Sequence, residues 1–392
     1  MDVGYQVDRE QRIMRERVQS RWMAAYAPVR HLDPVLVLTA LALTGIGLVA
    51  IYSAQLVNLS SQGMSTTTYV TRQLIALVIG IIAMVIMAVV DYRHVRAYAP
   101  LLYAAAIILL IMTLTPLGTE VNGSQRWIVI GGFQLQASEL AKVAVLLAVA
   151  AVLYEAKGEP TLWMLAITVV GTLIPAGLVF LQPDLGTAIT FVWVLMVLLL
   201  VGGVKIRYLV GLAVAGVAAV IGALQAGLIA PYQLSRLTAF LDAADADAAQ
   251  SAAFQTQQSM IAVGSGQFTG RGLFEGTQTS LSYGPENHTD FVFTVIAEEF
   301  GFLGAAVMLG LFLILAWRGL RIAIMSKDLF GTLVASGVVA IMTLQVFVNV
   351  GMTIGIMPVT GVPLPFVSYG GTSLIVWWAM IGLLLNVHMR RF

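Results

Sequence analysis

The chain has 392 residues, of which 59% are hydrophobic and 10% are charged, and its formal net charge is +1. Because a soluble domain carries about a quarter charged residues, this composition excludes an ordinary soluble protein and favours a bundle of membrane-spanning helices. The sequence contains no cysteine, which excludes a disulfide framework and a thiolate metal site.

The first 34 residues are polar and basic, and we predict that residues 1–34 form a cytoplasmic tail. Met14, Val18 and Trp22 recur at helical spacing with arginines between them. The tail is therefore either a disordered basic segment or, as we favour, a short helix on the inner leaflet. The first apolar run that follows is too long to belong to a cleaved signal peptide.

Apolar segments long enough to cross a bilayer fill the rest of the chain, since a spanning helix needs about 20 mostly apolar residues. Ten segments are predicted, at residues 35–56, 74–90, 98–115, 138–154, 161–181, 185–202, 208–229, 290–316, 330–356 and 371–388. The expected fold is an all-α integral membrane protein, a polytopic bundle of about ten transmembrane helices that forms one domain over residues 35–392.

The distribution of lysine and arginine predicts the orientation of this bundle. Sixteen basic residues lie in the termini and in one set of alternate loops, and only Arg72, Arg126, Arg236 and Arg271 lie in the other set. Both termini are therefore predicted to be cytoplasmic. The outer face then carries the loops at residues 57–73, 116–137, 182–184, 230–289 and 357–370, and the loop at 230–289 is by far the longest.

Four segments keep polar residues at this outer face. The first runs from NGSQRW at 122–127 to QASELAK at 136–142. Glu139 and Lys142 are neighbours on one helix face. They form either a self-neutralising structural ion pair or a cationic site for an anionic head group. In the second segment, QPDLGT, Asp184 stands at a helix start, where capping is its simplest role.

The third segment, PENHTDF, runs into a span that contains two carboxylates, Glu298 and Glu299. Thr289 or Asp290 could cap this helix, yet ionisable groups inside a span are costly and indicate function. Helical geometry lets Glu298 share a cavity with Asp290, while Glu299 faces away. The fourth segment, 357–373, contains three prolines and three glycines, so it is predicted to be a non-helical loop buried in protein or lining a cavity.

These segments resemble the SEDS family of bacterial membrane proteins, whose members include RodA, FtsW and a sporulation homologue. The matching motifs are NGSQRWI with SELAK, QPDLGTA, QSMIAVGSGQFTGRGLFEGTQ, PENHTDFVFTVIAEEFGFLG and GIMPVTGVPLPFVSYGGTSL, and YSA at 52–54 fits as well. The segments IAEE and GTQT are more similar to those of the elongation-type RodA proteins than to those of the division-type FtsW proteins.

The resemblance implies a peptidoglycan glycosyltransferase that polymerises lipid II into glycan strands at the outer face of the cytoplasmic membrane. It implies a class B penicillin-binding protein as partner, and it implies that Asp290 is the catalytic carboxylate. Lipid II, the nascent glycan and membrane lipids are the expected ligands, and no nucleic acid is expected.

Lipid II carries its own leaving group, so the site needs a base for the acceptor hydroxyl and cations for the pyrophosphate. Asp290 is predicted as the general base. Predicted pyrophosphate-binding residues are Arg126, Lys142, Arg72, Arg271 and His288. Predicted supporting residues of the polar cavity are Glu139, Asp184, Glu298, Glu299 and Ser368. The sequence shows no dedicated metal site, but a divalent cation (Mg²⁺ or Mn²⁺) near Asp290 is an open alternative.

Two other classes stay open. A lipid flippase or transporter would also use membrane carboxylates and broken helices, but its binding groups should lie near the midplane with internal repeat symmetry. A non-catalytic scaffold for a partner enzyme would not require Asp290.

Overall fold

A computed structural model describes residues 32–61, 66–121, 124–131, 133–157, 160–227, 252–276 and 289–391. Residues 1–31 of the predicted N-terminal tail lie outside these ranges, as do His288 and much of the long loop at 230–289. Eleven helices are described, α1 Pro34–Ser61, α2 Thr68–Val89, α3 Tyr92–Thr113, α4 Ala137–Glu155, α5 Leu162–Leu181, α6 Leu185–Val201, α7 Ile206–Gln225, α8 Ala252–Ser265, α9 Val292–Ile324, α10 Leu329–Thr353 and α11 Gly371–Met389.

The predicted polytopic helical fold is confirmed. Nine of the described helices are long and apolar enough to cross a membrane, and α6, with 17 residues, is a shorter apolar helix at the position of the sixth predicted span. The eleventh helix, α8, lies inside the long predicted loop. The chain therefore folds as a multi-pass membrane protein.

A small antiparallel sheet replaces the irregular loop predicted at 116–137. Its strands are β1 Thr119–Val121, β2 Ser124–Ile130 and β3 Phe133–Gln136, paired in chain order. The purely α-helical prediction missed these strands because each is too short to show a long alternating pattern. The sheet ends directly at α4, so it fixes the point where that helix enters the bundle.

The centre of the bundle is α11, in which Trp377 and Trp378 are both almost fully buried. Helix α2 packs closely along it, because a side chain at Gly382 would overlap the Met84 backbone and one at Gly80 would press on the Trp378 ring. Small residues at such crossings let membrane helices approach closely and gain van der Waals contact. At the periphery, α7 is almost wholly exposed outside the bundle.

The end of α11 is fastened to the turn between α2 and α3 by Asn386, which is fully buried. Its amide nitrogen donates to the carbonyls of Met87 and Val90. Its side-chain oxygen accepts from the Tyr92 amide at 3.3 Å and from Arg390 at 2.5 Å. One side chain therefore satisfies backbone groups of the α2–α3 turn that have no helical partner.

We expect Asn386→Ala to lower the free energy of unfolding by about 3 kcal/mol, because buried backbone groups lose their partners. Thermal unfolding in detergent measures the effect. Thr343→Ala is the matched control, since the Thr343 hydroxyl bonds to Val339 within its own helix at 2.9 Å. An equal loss in both variants would contradict the assigned role of Asn386.

Candidate active site

The long helix α9 is interrupted at Gly301, whose φ of +64° and ψ of −159° are not helical. Such a break leaves carbonyls before it and amides after it without helical partners, which is costly inside a membrane protein. Residues 266–276, which we call the glycine loop, supply the missing partners. Four backbone hydrogen bonds join the two segments, from Arg271 N–H to Glu298 C=O (3.0 Å), Gly272 N–H to Glu299 C=O (3.1 Å), Phe302 N–H to Gln267 C=O (2.9 Å) and Leu303 N–H to Phe268 C=O (3.2 Å).

Glycine is required where these two backbones touch. A Cβ atom on Gly266 would overlap the carbonyl oxygen of Ala297, and one on Gly270 would overlap that of Glu299. A Cβ atom on Gly301 would in turn overlap the amide nitrogen of Gly270. Gly270 and Gly301 also have positive φ, of +85° and +64°, which favours glycine independently of the available space.

Asp290 lies directly before α9 and is half-buried. Its main-chain carbonyl accepts a 2.8 Å hydrogen bond from the side-chain amide of Asn349, in α10. The same amide donates at 2.8 Å to the carbonyl of Val362, in the loop at 357–370. Asn349 is fully buried, so it fixes the backbone of Asp290 relative to this loop.

The start of α9 differs from the capping alternative raised by the sequence. Its N-cap residue is Phe291, which makes no side-chain capping hydrogen bond. The Phe291 ring instead packs with Met352 and Val359 in a separate small apolar cluster. The first turn of α9 is therefore anchored by apolar packing and by Asn349.

Every residue of the loop at 357–370 is buried or half-buried, as predicted for irregular backbone among membrane helices. Gln73 of α2 brackets its end, donating to the carbonyl of Ser368 at 3.1 Å and accepting from the amide of Gly370 at 3.2 Å. The Ser368 hydroxyl accepts from the Leu364 amide at 2.8 Å and so closes a turn within the loop. Ser368 therefore shapes the loop through both its main chain and its side chain.

Arg126 of β2 is directed at the turn between α5 and α6. Its guanidinium donates to the carbonyl of Gln182 at 3.1 Å and to that of Pro183, and it lies 3.9 Å from the carboxylate of Asp184. Asp184 caps α6, since its carboxylate accepts from the amide and the hydroxyl of Thr187 at 3.1 and 2.9 Å. Both predicted site residues thus hold the α5–α6 turn against the sheet.

Glu139 and Lys142 form an ion pair of 2.7 Å within α4. Both side chains are about 1% exposed, so the pair is enclosed by the bundle. Removing one partner of a buried ion pair strongly destabilises a protein, because it leaves a buried charge uncompensated. Lys142 is therefore already engaged by a protein carboxylate in this structure.

The two carboxylates of α9 are both buried. Glu299 accepts a hydrogen bond from the hydroxyl of Ser53 in α1 and another from the amide of Phe274 in the glycine loop. Glu299 therefore links three segments, α1, the glycine loop and α9. Glu298 is fully buried, and its carbonyl takes part in the backbone exchange described above.

Arg72, near the start of α2, lines a cavity of about 260 Å³ beside the sheet. The other polar groups of this cavity include Gln134, Gln136 and Tyr369, together with the first turn of α11. Tyr369 hydrogen-bonds to Arg72 through its side chain, and burial raises the pKa of its phenol above the usual value although the neighbouring Arg72 lowers it. Tyr369 therefore stays protonated at neutral pH, and this part of the cavity carries the positive charge of Arg72.

The remaining predicted residues are less enclosed or lie elsewhere. Arg271 is exposed on the glycine loop, with its guanidinium 3.5 Å from the carbonyl of Ser265. His288 lies outside the described residues. The sequence analysis missed Gln73 and Asn349, although an amide side chain in an apolar span is the kind of signal that could have pointed to them.

The fold is that of a polytopic membrane protein in which the loop at 357–370 is joined to α2 by Gln73 and to the start of α9 by Asn349. A family model described as cell cycle protein, covering FtsW, RodA and SpoVE, matches residues 34–391. The peptidoglycan glycosyltransferase MrdB of Escherichia coli K12 is 40% identical over 361 residues, which cover 92% of this chain and 94% of that protein.

Two solved structures extend the likeness to the fold. A chain of a peptidoglycan synthase complex that coordinates polymerization and crosslinking has a TM-score of 0.76 at 32% identity, covering 92% of this chain and 98% of that one. The rod shape determining protein RodA of Thermus thermophilus has a TM-score of 0.68 at the same identity and coverage. The chain belongs to the FtsW/RodA/SpoVE family, the SEDS family that its motifs indicated.

We expect Gly270→Ala to destabilise the protein by about 3 kcal/mol, because the new methyl group meets backbone and the φ angle is positive. Gly264→Ala is the matched control, since Gly264 lies in α8 with open space around its Cβ position. That change should be neutral or stabilise by about 0.5–1 kcal/mol, as alanine favours a helix. Thermal unfolding of both variants in detergent measures the difference, and equal stability would contradict the close packing of the glycine loop on α9.

Proposed function

We propose that the chain is a peptidoglycan glycosyltransferase that polymerises lipid II at the outer face of the cytoplasmic membrane, in the elongation of the cell. The observation that carries this proposal is the placement of Asp290. Asp290 is half-buried just before α9, and Asn349 fixes its backbone against the loop at 357–370. The relatives named as peptidoglycan glycosyltransferases support the activity.

In the proposed reaction, Asp290 accepts the proton of the acceptor sugar hydroxyl. The hydroxyl oxygen forms a bond to the anomeric carbon of the donor sugar, and the bond from that carbon to the lipid pyrophosphate breaks. The pyrophosphate leaves with its own negative charge, so the site needs cations more than it needs a strong acid. A half-buried aspartate suits the base, because a substrate can contact it while the protein covers part of the residue.

The protein contacts of the predicted cationic side chains indicate which of them is most available to bind pyrophosphate. Arg126 and Lys142 are bonded to protein acceptors, and either would have to exchange these partners to bind substrate. Arg72 lines an open cavity, and its side-chain partner there is the neutral phenol of Tyr369 rather than a carboxylate or a main-chain carbonyl. We therefore propose Arg72 as the principal pyrophosphate-binding residue, with Arg126 and Lys142 holding the walls of the site.

We further propose that a divalent cation binds near Asp290 when the pyrophosphate of the substrate is present. Within the described ranges, no three His, Asp or Glu side chains cluster in a way that could hold a metal ion. A Mg²⁺ or Mn²⁺ ion would then be held by Asp290 together with pyrophosphate oxygens, as Mg²⁺ is in many phosphate-binding enzymes. It would neutralise charge on the leaving pyrophosphate.

We also propose a class B penicillin-binding protein as the partner of this chain. The structural neighbour from a peptidoglycan synthase complex, in which polymerization and crosslinking are coordinated, supports this assignment. Polymerised strands would then pass from this chain to a transpeptidase held beside it.

We expect Asp290→Asn to abolish glycan polymerisation from purified lipid II, with and without the partner transpeptidase, because the amide cannot accept the proton. Gel analysis of labelled glycan strands measures the product, and thermal unfolding checks the fold. Glu155→Gln, an exposed carboxylate at the other end of the bundle, is the control and should keep normal activity. Normal polymer from the Asp290 variant would contradict the mechanism and favour the scaffold or transporter alternative.

We expect Arg72→Gln to raise the KM for lipid II about tenfold, since one charge-assisted hydrogen bond to the pyrophosphate is lost. Arg72→Lys should recover part of the loss because it keeps the charge. Arg93→Gln removes one exposed arginine from the opposite end of the bundle and serves as the control in the same steady-state assay. An unchanged KM in the Arg72 variants would rule out pyrophosphate binding in this cavity.

A further inference from the structure

A second charged cavity lies at the end of the bundle opposite the candidate active site. The start of α1 meets the ends of α9 and α11 here, and a cavity of about 130 Å³ opens between them. Its charged and titratable lining residues, which we call the basic pocket, are Asp33, Arg318, Arg321, His388 and Arg391. The proposed polymerisation uses none of them.

Asp33, the one carboxylate among the described lining residues of the basic pocket, already has protein partners on both of its oxygens. One oxygen of Asp33 accepts from the amides of Val35 and Leu36 at 3.1 and 3.3 Å, at the start of α1. The other oxygen pairs with Arg318 at 2.5 Å. Asp33 is only 2% exposed, so its charge is neutralised inside the protein.

Two further arginines, Arg321 and Arg391, line the basic pocket. Among the described lining residues of the basic pocket, three arginines stand against one aspartate, a formal charge of +2 from these four side chains. Among the described residues, no carboxylate lies within ion-pair distance of Arg321, which is exposed. The basic pocket therefore has an excess of positive charge facing a concave space.

Stabilisation of helix ends accounts for part of this charge but not all of it. Cations near a helix C-terminus interact favourably with the helix dipole, and Arg321 and His388 lie in the last turns of α9 and α11. Arg391 lies beyond the last turn of α11 and still lines the cavity. At about 30 Å³ per water, the space would hold about four waters, which is enough for a phosphate group.

Apolar side chains lie beside the basic pocket in the chain and face outward. Ile324 is 85% exposed and Trp317 is 67% exposed, both on the last turns of α9, and Leu32 before α1 is 46% exposed. The basic loops of the chain place this end at the cytoplasmic surface by the positive-inside rule. A ligand with an anionic phosphate and apolar tails matches both features, and basic pockets between helices on this side bind such head groups.

We propose that the basic pocket binds the phosphate of an anionic phospholipid of the cytoplasmic leaflet. The phosphodiester contacts Arg321 and Arg391, and the acyl chains lie along the exposed apolar side chains of α9. A bound lipid of this kind would fix the ends of α1, α9 and α11 relative to one another.

Native mass spectrometry of the full chain, titrated with phosphatidylglycerol or phosphatidylcholine, tests the proposal. We expect Arg321→Gln/Arg391→Gln to weaken phosphatidylglycerol binding about thirtyfold, since each basic residue near the surface contributes about 1 kcal/mol. Phosphatidylcholine should bind weakly to both proteins. If the double variant does not fold, Arg391→Gln alone should weaken binding about fivefold, because Arg391 lies outside the helices.

Arg93→Gln/Lys327→Gln is the matched control, because it removes two exposed charges from the same end of the bundle but outside the basic pocket. This variant should keep its affinity for phosphatidylglycerol to within about threefold at 0.15 M salt, where diffuse surface attraction is screened. Equal weakening in both double variants would overturn the proposal. Displacement of phosphatidylglycerol by millimolar inorganic phosphate would also overturn it, since the basic pocket would then be a site for free phosphate.

Discussion

The exchange of backbone hydrogen bonds between the glycine loop and the broken helix α9 is the interaction on which the site depends. A helix that stops and restarts inside a membrane protein exposes several amide and carbonyl groups, each of which costs about 1–3 kcal/mol if it is buried without a partner. The loop satisfies these groups at Gly301 from residues far away in the chain. Glycine at 266, 270 and 301 is the condition for this contact, because any side chain there would separate the backbones.

This constraint gives α9 two independent halves. The first half carries Glu298 and Glu299 and follows Asp290, while the second half continues to Ile324 at the other end of the bundle. Glu299 ties the first half to α1 through Ser53, and Asn349 ties Asp290 to α10 and to the loop at 357–370. The backbone of Asp290, the residue proposed as the base, is therefore held by contacts from distant parts of the chain. Such support suits a site that must keep its geometry while a lipid substrate enters.

Much of the fold could be predicted, because span length and apolar composition are local properties of the sequence. The multi-pass helical fold and the family were predicted and are confirmed. The sheet at 119–136 was missed because its strands are very short, and the interruption at Gly301 was missed because a single glycine does not reveal a backbone partner thirty residues away. The contacts of Arg126 and Lys142 could not be predicted either, since the sequence does not show whether a carbonyl or a carboxylate lies beside a charged side chain. The catalytic and pyrophosphate-binding roles stay predictions.

A disulfide between the glycine loop and α9 tests most directly whether the enzyme is active while the loop stays hydrogen-bonded to α9. The rings of Phe268 and Phe302 are stacked with centroids 5.8 Å apart, both side chains are exposed, and the chain has no cysteine of its own. The measurement is the rate of lipid II polymerisation by Phe268→Cys/Phe302→Cys before and after oxidation, with Phe268→Cys alone as the control. The account predicts that the disulfide forms and that the oxidised protein polymerises as fast as the reduced one. Loss of polymerisation on oxidation, reversed by reduction, would show that the loop must leave α9 during the reaction and would contradict the account.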